Sequence, residues 1–352
     1  MLSRIFSTLF TLLLLGSMVS CEYPAYYVSS SGKSETPPIR RRDVCYMTDS
    51  DGWGHTPKGW RRQQRLLKKA SDSDLDEMAR YAEKPSMRAF AYQALASKRS
   101  DRCFDILLEK LTDKERFWVV YYDIWSDTDV SSFMLETTQE DSLLLTKEQT
   151  HYIDSMIVFG PGYEHLDKSA SIPGLQASEI LYKRIRELYL GGDSRVLPFL
   201  AEYHNYEDIS FVISSLRKYK ADIGEIDVDD EHYNSVVGAI AETVDNAIAA
   251  VVKWPDSAFV PVLEEMRNDG VLEGFHSYYR QMMFFEAAMA YDNDWAYNII
   301  EDIFNKDYDD TSYLSSYPEC LYRAYYEGEK RARFLPLVEK YGKESSVWDD
   351  WQ

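Results

Sequence analysis

The residues able to do acid–base or metal chemistry are scattered along this chain. Its six histidines are His55, His151, His165, His204, His232 and His276. No two stand three or four positions apart, so no helix offers a histidine pair to a metal. His165 has the most suggestive company. In "YEHLD" it lies beside Glu164 and Asp167, within the Gly/Pro-punctuated segment 159–174. Loops of that length are uncommon in compact domains and often carry function. Acidic runs occur at Asp49–Gly52, Asp227–His232, Asp292–Trp295 and Asp307–Asp310. Asp227, Asp229 and Glu231 alternate, and Asp49 and Asp51 precede a glycine, but neither run completes a calcium loop. Solvated turns account for both. Glycoside hydrolysis needs two acids a fixed distance apart, and spacing singles out no pair among 59 carboxylates. Nucleophile elbow, zinc helix, phosphate loop, Cys-x-x-Cys and dinucleotide fingerprint are all absent. The sequence assigns no catalytic residue, no metal ligand and no cofactor.

Aromatic residues are the better guide to a surface. They make up 14% of the chain, with 27 tyrosines. Trp53, Trp60, Tyr163, Tyr278, Tyr279, Tyr313, Tyr317, Trp348 and Trp351 fall in expected loops or near helix ends, where exposed rings stack on sugars or anchor proteins. Tyr163, His165, Tyr278 and Tyr279 are the candidate binding residues. The net charge is −20. Residues 40–69 go against that trend with nine Lys/Arg against three Asp, so the remainder is more acidic still. Such a body repels nucleic acid. The basic stretch suits a solvated lead-in, a contact with anionic headgroups or a cap on the first helical hairpin.

These residues must be carried by helices. In residues 84–113, Pro85 suits a first helical turn, having no N–H to lose. Met87, Phe90, Ala91, Ala94 and Leu95 then share one helical face. After the break at "SKRSD", Phe104, Leu107, Leu108 and Leu111 form a second face. Two such short helices cannot bury their apolar faces alone. The pattern of Pro85, Arg88, Ala91, Ala94, Leu95, Asp101, Leu107, Leu108 and Leu111 resembles a HEAT repeat of the bacterial kind. Looser echoes follow at "RVLPFLAEY", "AFVPVLEEM" and "RFLPLVEKY", with "DWAYNIIEDIF" between the last two. Pro261, Asn298 and Pro336 then stand 37 and 38 residues apart, within the range of helical-hairpin repeats. The resemblance implies an all-α fold, an irregular α-solenoid of about six antiparallel hairpins over residues 61–345, followed by an acidic tail at 346–352. Within it, "FWVVYYDIW" has strand-like composition, but its neighbours favour a buried helix.

The chain opens "MLSRIFSTLFTLLLLGSMVSC": one basic residue, an apolar run too short to span a bilayer comfortably, small residues and a cysteine. Met18, Val19, Ser20 and Cys21 occupy the places of the lipobox, so residues 1–21 resemble a bacterial lipoprotein signal peptide. The resemblance implies lipid on Cys21, export and a membrane anchor in the cell envelope, facing the periplasm or the cell surface. Residues 22–60 follow as a flexible, turn-rich linker. Among Cys45, Cys103 and Cys320, an oxidising compartment allows at most one disulfide. Cys45 with Cys103 is the pair that the sequence leaves open, without deciding connectivity, and Cys320 suits a buried thiol. The expected function is a non-catalytic scaffold for an envelope protein partner. The alternative is a carbohydrate-binding or carbohydrate-processing envelope lipoprotein, with a glycan as its ligand.

Overall fold

The computed structural model describes residues 43–47, 58–121, 124–141, 143–222, 233–272, 278–307 and 316–343. The chain is mostly helical, with sixteen α-helices among those residues. Cys21 and the signal-like segment lie outside them, as do Trp53, Tyr313, Trp348 and Trp351. The stretch expected to form one helical array divides into two compact units, Cys21–Ala177 and Ser178–Gln352.

The N-terminal unit runs β1 (Val44–Tyr46), α1 (Lys58–Leu67), α2 (Asp72–Tyr81), α3 (Pro85–Ser97), α4 (Cys103–Lys110), β2 (Arg116–Tyr121), β3 (Ile124–Asp129), α5 (Val130–Glu140) and α6 (Lys147–Phe159). The hairpin read from residues 84–113 is α3 and α4. Pro85 opens α3, whose residues Ala89–Tyr92 and Ala94–Ala96 are buried. Helix α2 starts at a reciprocal cap, with Ser71 Oγ accepting from Asp74 N at 3.2 Å and Asp74 Oδ2 from Ser71 N at 2.8 Å.

The mostly helical structure agrees with the all-α expectation, and three short strands correct one local reading within it. "FWVVYYDIW" is not a buried helix but most of the antiparallel pair β2–β3, with Phe117 opposite Thr128 and Val119 opposite Ser126. Its burial alternates from half-buried Arg116 to buried Phe117, half-buried Trp118 and buried Val119. That period of two belongs to a strand with one face on a core. Strand β1 pairs parallel with β2, Val44 opposite Trp118, and α1–α4 supply the long crossover that parallel pairing requires. So part of the expected linker is an edge strand. The sheet packs on α3, and Phe117 meets Phe133 of α5 edge-on at 5.5 Å.

The C-terminal unit comprises α7 (Glu179–Leu190), α8 (Leu197–Ala201), α9 (Ile209–Leu216), α10 (Tyr219–Asp222), α11 (Tyr233–Lys253), α12 (Val260–Asn268), α13 (Tyr278–Ala290), α14 (Asp294–Asp302), α15 (Tyr317–Glu327) and α16 (Leu335–Tyr341). Helices α8 and α9 pack on α11, α11 on α13 and α13 on α15; α14 and α16 each pack on the helix before them. Pro198, Pro261 and Pro336 each sit in a helix's first turn, as the "apolar-Pro-apolar" echoes imply. Helix α13 is buried at Met283–Phe285 and Ala287–Ala290, as a helix with neighbours on both sides must be.

Candidate functional site

Burial of α13 on two sides leaves only a narrow outward strip. Tyr279, 41% exposed, and half-buried Glu286 lie on it. Asp245 of α11 flanks the strip on one side, and Tyr322, Arg323, Tyr326 and Glu327 of α15 flank it on the other. Arg280 Nε donates to Asp245 Oδ1 at 2.9 Å. Tyr278 Oη donates to Glu319 Oε1 at 2.7 Å and accepts from an Arg323 terminal nitrogen at 3.0 Å. Arg323 Nε donates to Glu327 Oε1 at 2.8 Å. The rings of Tyr322 and Tyr326 lie 4.4 Å apart, and Lys330 sits over Tyr326.

This surface is short of positive charge. Its four carboxylates, Asp245, Glu286, Glu319 and Glu327, face three cations: Arg280 on Asp245, Arg323 on Glu327 and on the Tyr278 hydroxyl that bonds Glu319, and Lys330 over the Tyr326 ring. Among the described residues no cation pairs with Glu286. Burial raises its carboxyl above the usual range, and the nearby charge of Glu327 raises it further. Asp245 is raised by burial too, against the pull of Arg280. The Tyr279 hydroxyl is raised by burial and by Asp245 and Glu286. Burial is the first cause of all three shifts; the added repulsion at Glu286 and Tyr279 is the part that a positive group brought to this surface would relieve.

The four candidate binding residues do not share a unit. Tyr278 and Tyr279 stand on the α13 surface, while Tyr163 and His165 belong to the N-terminal unit. Tyr163 is half-buried against that unit's core, and its carbonyl accepts from Lys168 Nζ at 2.8 Å. His165 joins a hydrogen-bonded chain. Ser131 Oγ donates to Asp129 Oδ1 at 2.5 Å, so its oxygen accepts from His165 Nε2 at 2.9 Å. Burial lowers the His165 pKa, favouring the neutral ring, and Asp129 opposes that shift. Ser131 is fully buried, and its hydroxyl proton points at Asp129 Oδ1 and not at His165. The chain ties segment 159–174 to the start of α5. Glu164 is spent locally, accepting from Gly162 N at 3.0 Å.

Tyr317 is buried, so it is a core residue and not a platform. Asp292 and Asp294 are ion-paired with Arg333, and Asp227–His232 lie outside the described residues. Among the described residues no group of three or more His, Cys, Asp or Glu is placed to hold a metal. Cys45, Cys103 and Cys320 are all buried free thiols, so the open question of a Cys45–Cys103 pair resolves to no bond between them. Sequence reasoning missed Asp245, Glu286 and Arg323. The available signal was Glu286 itself, the single acid in the apolar run "QMMFFEAAMAY".

Comparison of the chain with family models, curated proteins and solved structures finds no match. Its function must be reasoned from the residues themselves.

Proposed function

We propose that this protein is a non-catalytic scaffold, held to a membrane of the cell envelope by lipid on Cys21, that binds a protein partner bearing basic groups. The observation that carries the reading is the excess of acid on the α11–α13–α15 surface, where among the described residues no cation pairs with Glu286 and Tyr279 and Tyr326 lie exposed. Tyrosine and arginine are favoured at protein interfaces, and partner lysines or arginines would neutralise the acids. The side-by-side order of α11, α13 and α15, with α14 and α16 each packed on its predecessor, supports reading this part as HEAT-like hairpins. Among the described residues no helix is long and apolar enough to cross a membrane, so the anchoring reading rests on the lipobox-like residues alone.

The test is zero-length carboxyl-to-amine cross-linking on native envelopes, followed by mass spectrometry. The reading expects one recurrent protein joined through its lysines to Glu286 or Glu327. A product that survives Glu286→Gln with Glu327→Gln, or the absence of any recurrent product, overturns it. Mass-labelled palmitate recovered on the Cys21 peptide tests the anchor separately.

A further inference from the structure

A second feature of the C-terminal unit lies away from Tyr279 and Glu286. Helices α12 and α14 enclose a groove of about 210 Å³ lined by Glu264, Arg267, Asn268, Trp295, Asn298 and Asp302. Two carboxylates, Glu264 and Asp302, face one guanidinium, Arg267, and each carboxylate already has a partner in the groove. The Trp295 indole N–H donates to Glu264 Oε1 at 2.8 Å. Arg267 lies 4.0 Å from Asp302, with its own side chain 16% exposed. The groove's remaining polar capacity is amide. Asn268 and Asn298 are exposed, and among the described residues their side chains make no hydrogen bond. Each offers two donors and an acceptor.

That set discriminates between ligands. An anion would meet Glu264 and Asp302 with only one guanidinium, already beside a carboxylate, to hold it. A cation would have to displace the indole N–H from Glu264 or Arg267 from Asp302. A purely apolar ligand would strip water from two amides and return no hydrogen bonds, which costs free energy for each. A neutral ring with hydroxyls on its edges and C–H groups on its faces suits both the amides and the indole carbons. We propose that this groove is a binding site for a single sugar ring, with Trp295 as its platform and Asn268 and Asn298 as its hydrogen-bonding groups. The site is open and small, so affinity lies in the millimolar range. It is independent of the partner surface on α11, α13 and α15, and the failure of either leaves the other standing.

Indole ¹⁵N–¹H spectra of the full-length protein provide the test. The Trp295 signal is identified by its loss in Trp295→Phe. Its N–H bond to Glu264 makes it responsive to anything seated in the groove. Glucose, galactose and N-acetylglucosamine are added in turn, with glycerol and glycine as controls. The site predicts a saturable shift of the Trp295 signal with at least one sugar, while the signal of Trp254, 5% exposed in the same unit, stays put. Asn298→Leu, an exposed position, weakens that binding about tenfold and leaves the other indole signals in place. The proposal is overturned if no sugar moves the Trp295 signal, if glycerol or glycine moves it as far, or if Asn298→Leu binds as tightly as the parent.

Discussion

The guanidinium of Arg88 lies 2.9 Å from the carboxylate of Asp113, joining the interior of α3 to the turn that leads into β2. It also reaches Glu115 at 2.6 Å and the Ala82 carbonyl at 2.8 Å, with only 7% of the residue exposed. Removing one partner of a buried pair leaves an uncompensated charge. Arg88→Ala should therefore destabilise the N-terminal unit by about 3 kcal/mol or more. Urea unfolding of Arg88→Ala, Asp113→Ala and the double variant measures it. A single-variant loss within the range of surface substitutions would show that the pair adds nothing.

Asp154 of α6 is 4% exposed, and a Cβ on Gly174 would collide with its Oδ2, so the backbone of the 169–174 turn closes directly over a carboxyl. Burial pushes Asp154 up to about 6 from 3.8, against the lowering effects of Ser171 and His151. A raised carboxyl binds more protons folded than unfolded. Stability therefore rises as pH falls through about 6 and stops rising below the ordinary aspartate value. Charging it at pH 7 costs on the order of 3 kcal/mol. Asp154→Asn should raise the melting temperature at pH 7.5 and do little at pH 4. Exchange of the Leu175 amide, bonded to Ile172 O at 3.0 Å, should slow in parallel. Equal effects at both pH values would refute this account.

The three described cysteines should behave as inert thiols. Burial pushes Cys45, Cys103 and Cys320 each up to about 12, so little thiolate exists near neutrality. Ellman's reagent should find none of the three in the folded protein and all three in guanidinium, without a reductant. A missing pair in the denatured count would revive the disulfide.

Partner binding through Glu286 and Glu327 should weaken as salt rises, because partly exposed charges are screened. Glu286→Gln with Glu327→Gln should flatten that dependence and reduce affinity about tenfold or more. Tyr279→Ala should lower affinity without changing the salt slope. Titration calorimetry at several ionic strengths, with the cross-linked partner in hand, separates the two. An unchanged slope in the double variant would move the interface elsewhere.

Much of the helical framework was legible because its signals are local. Pro85 and the spacing of Phe90, Ala91, Ala94 and Leu95 mark α3 within a few turns of chain, and the proline echoes mark α12 and α16 equally well. The local pair β2–β3 was missed because the strand-like composition of "FWVVYYDIW" was outweighed by its helical neighbours, and β1 was missed because its contact with β2 is some seventy residues away, in a stretch whose composition resembles a linker. The α13 surface was half legible. Tyr278 and Tyr279 were found by type and position, whereas the importance of Glu286 depends on Glu327, which only folding brings near. His165 looked reactive by its neighbours in sequence. Its true partner is Ser131, 34 residues earlier, and that contact gives the imidazole an anchoring role.

The parallel pairing of β1 with β2 also has a mechanical side. Tension entering the chain ahead of Asp43 reaches this short strand before any described helix. Its grip is the Trp118 N–H on Asp43 O at 3.0 Å, the Met47 N–H on Val120 O at 2.9 Å and the ladder between them. A pull along the strand axis loads those bonds together in shear, and a pull across it peels them one after another. The direction of the load thus decides whether β1 acts as a clamp or a zipper.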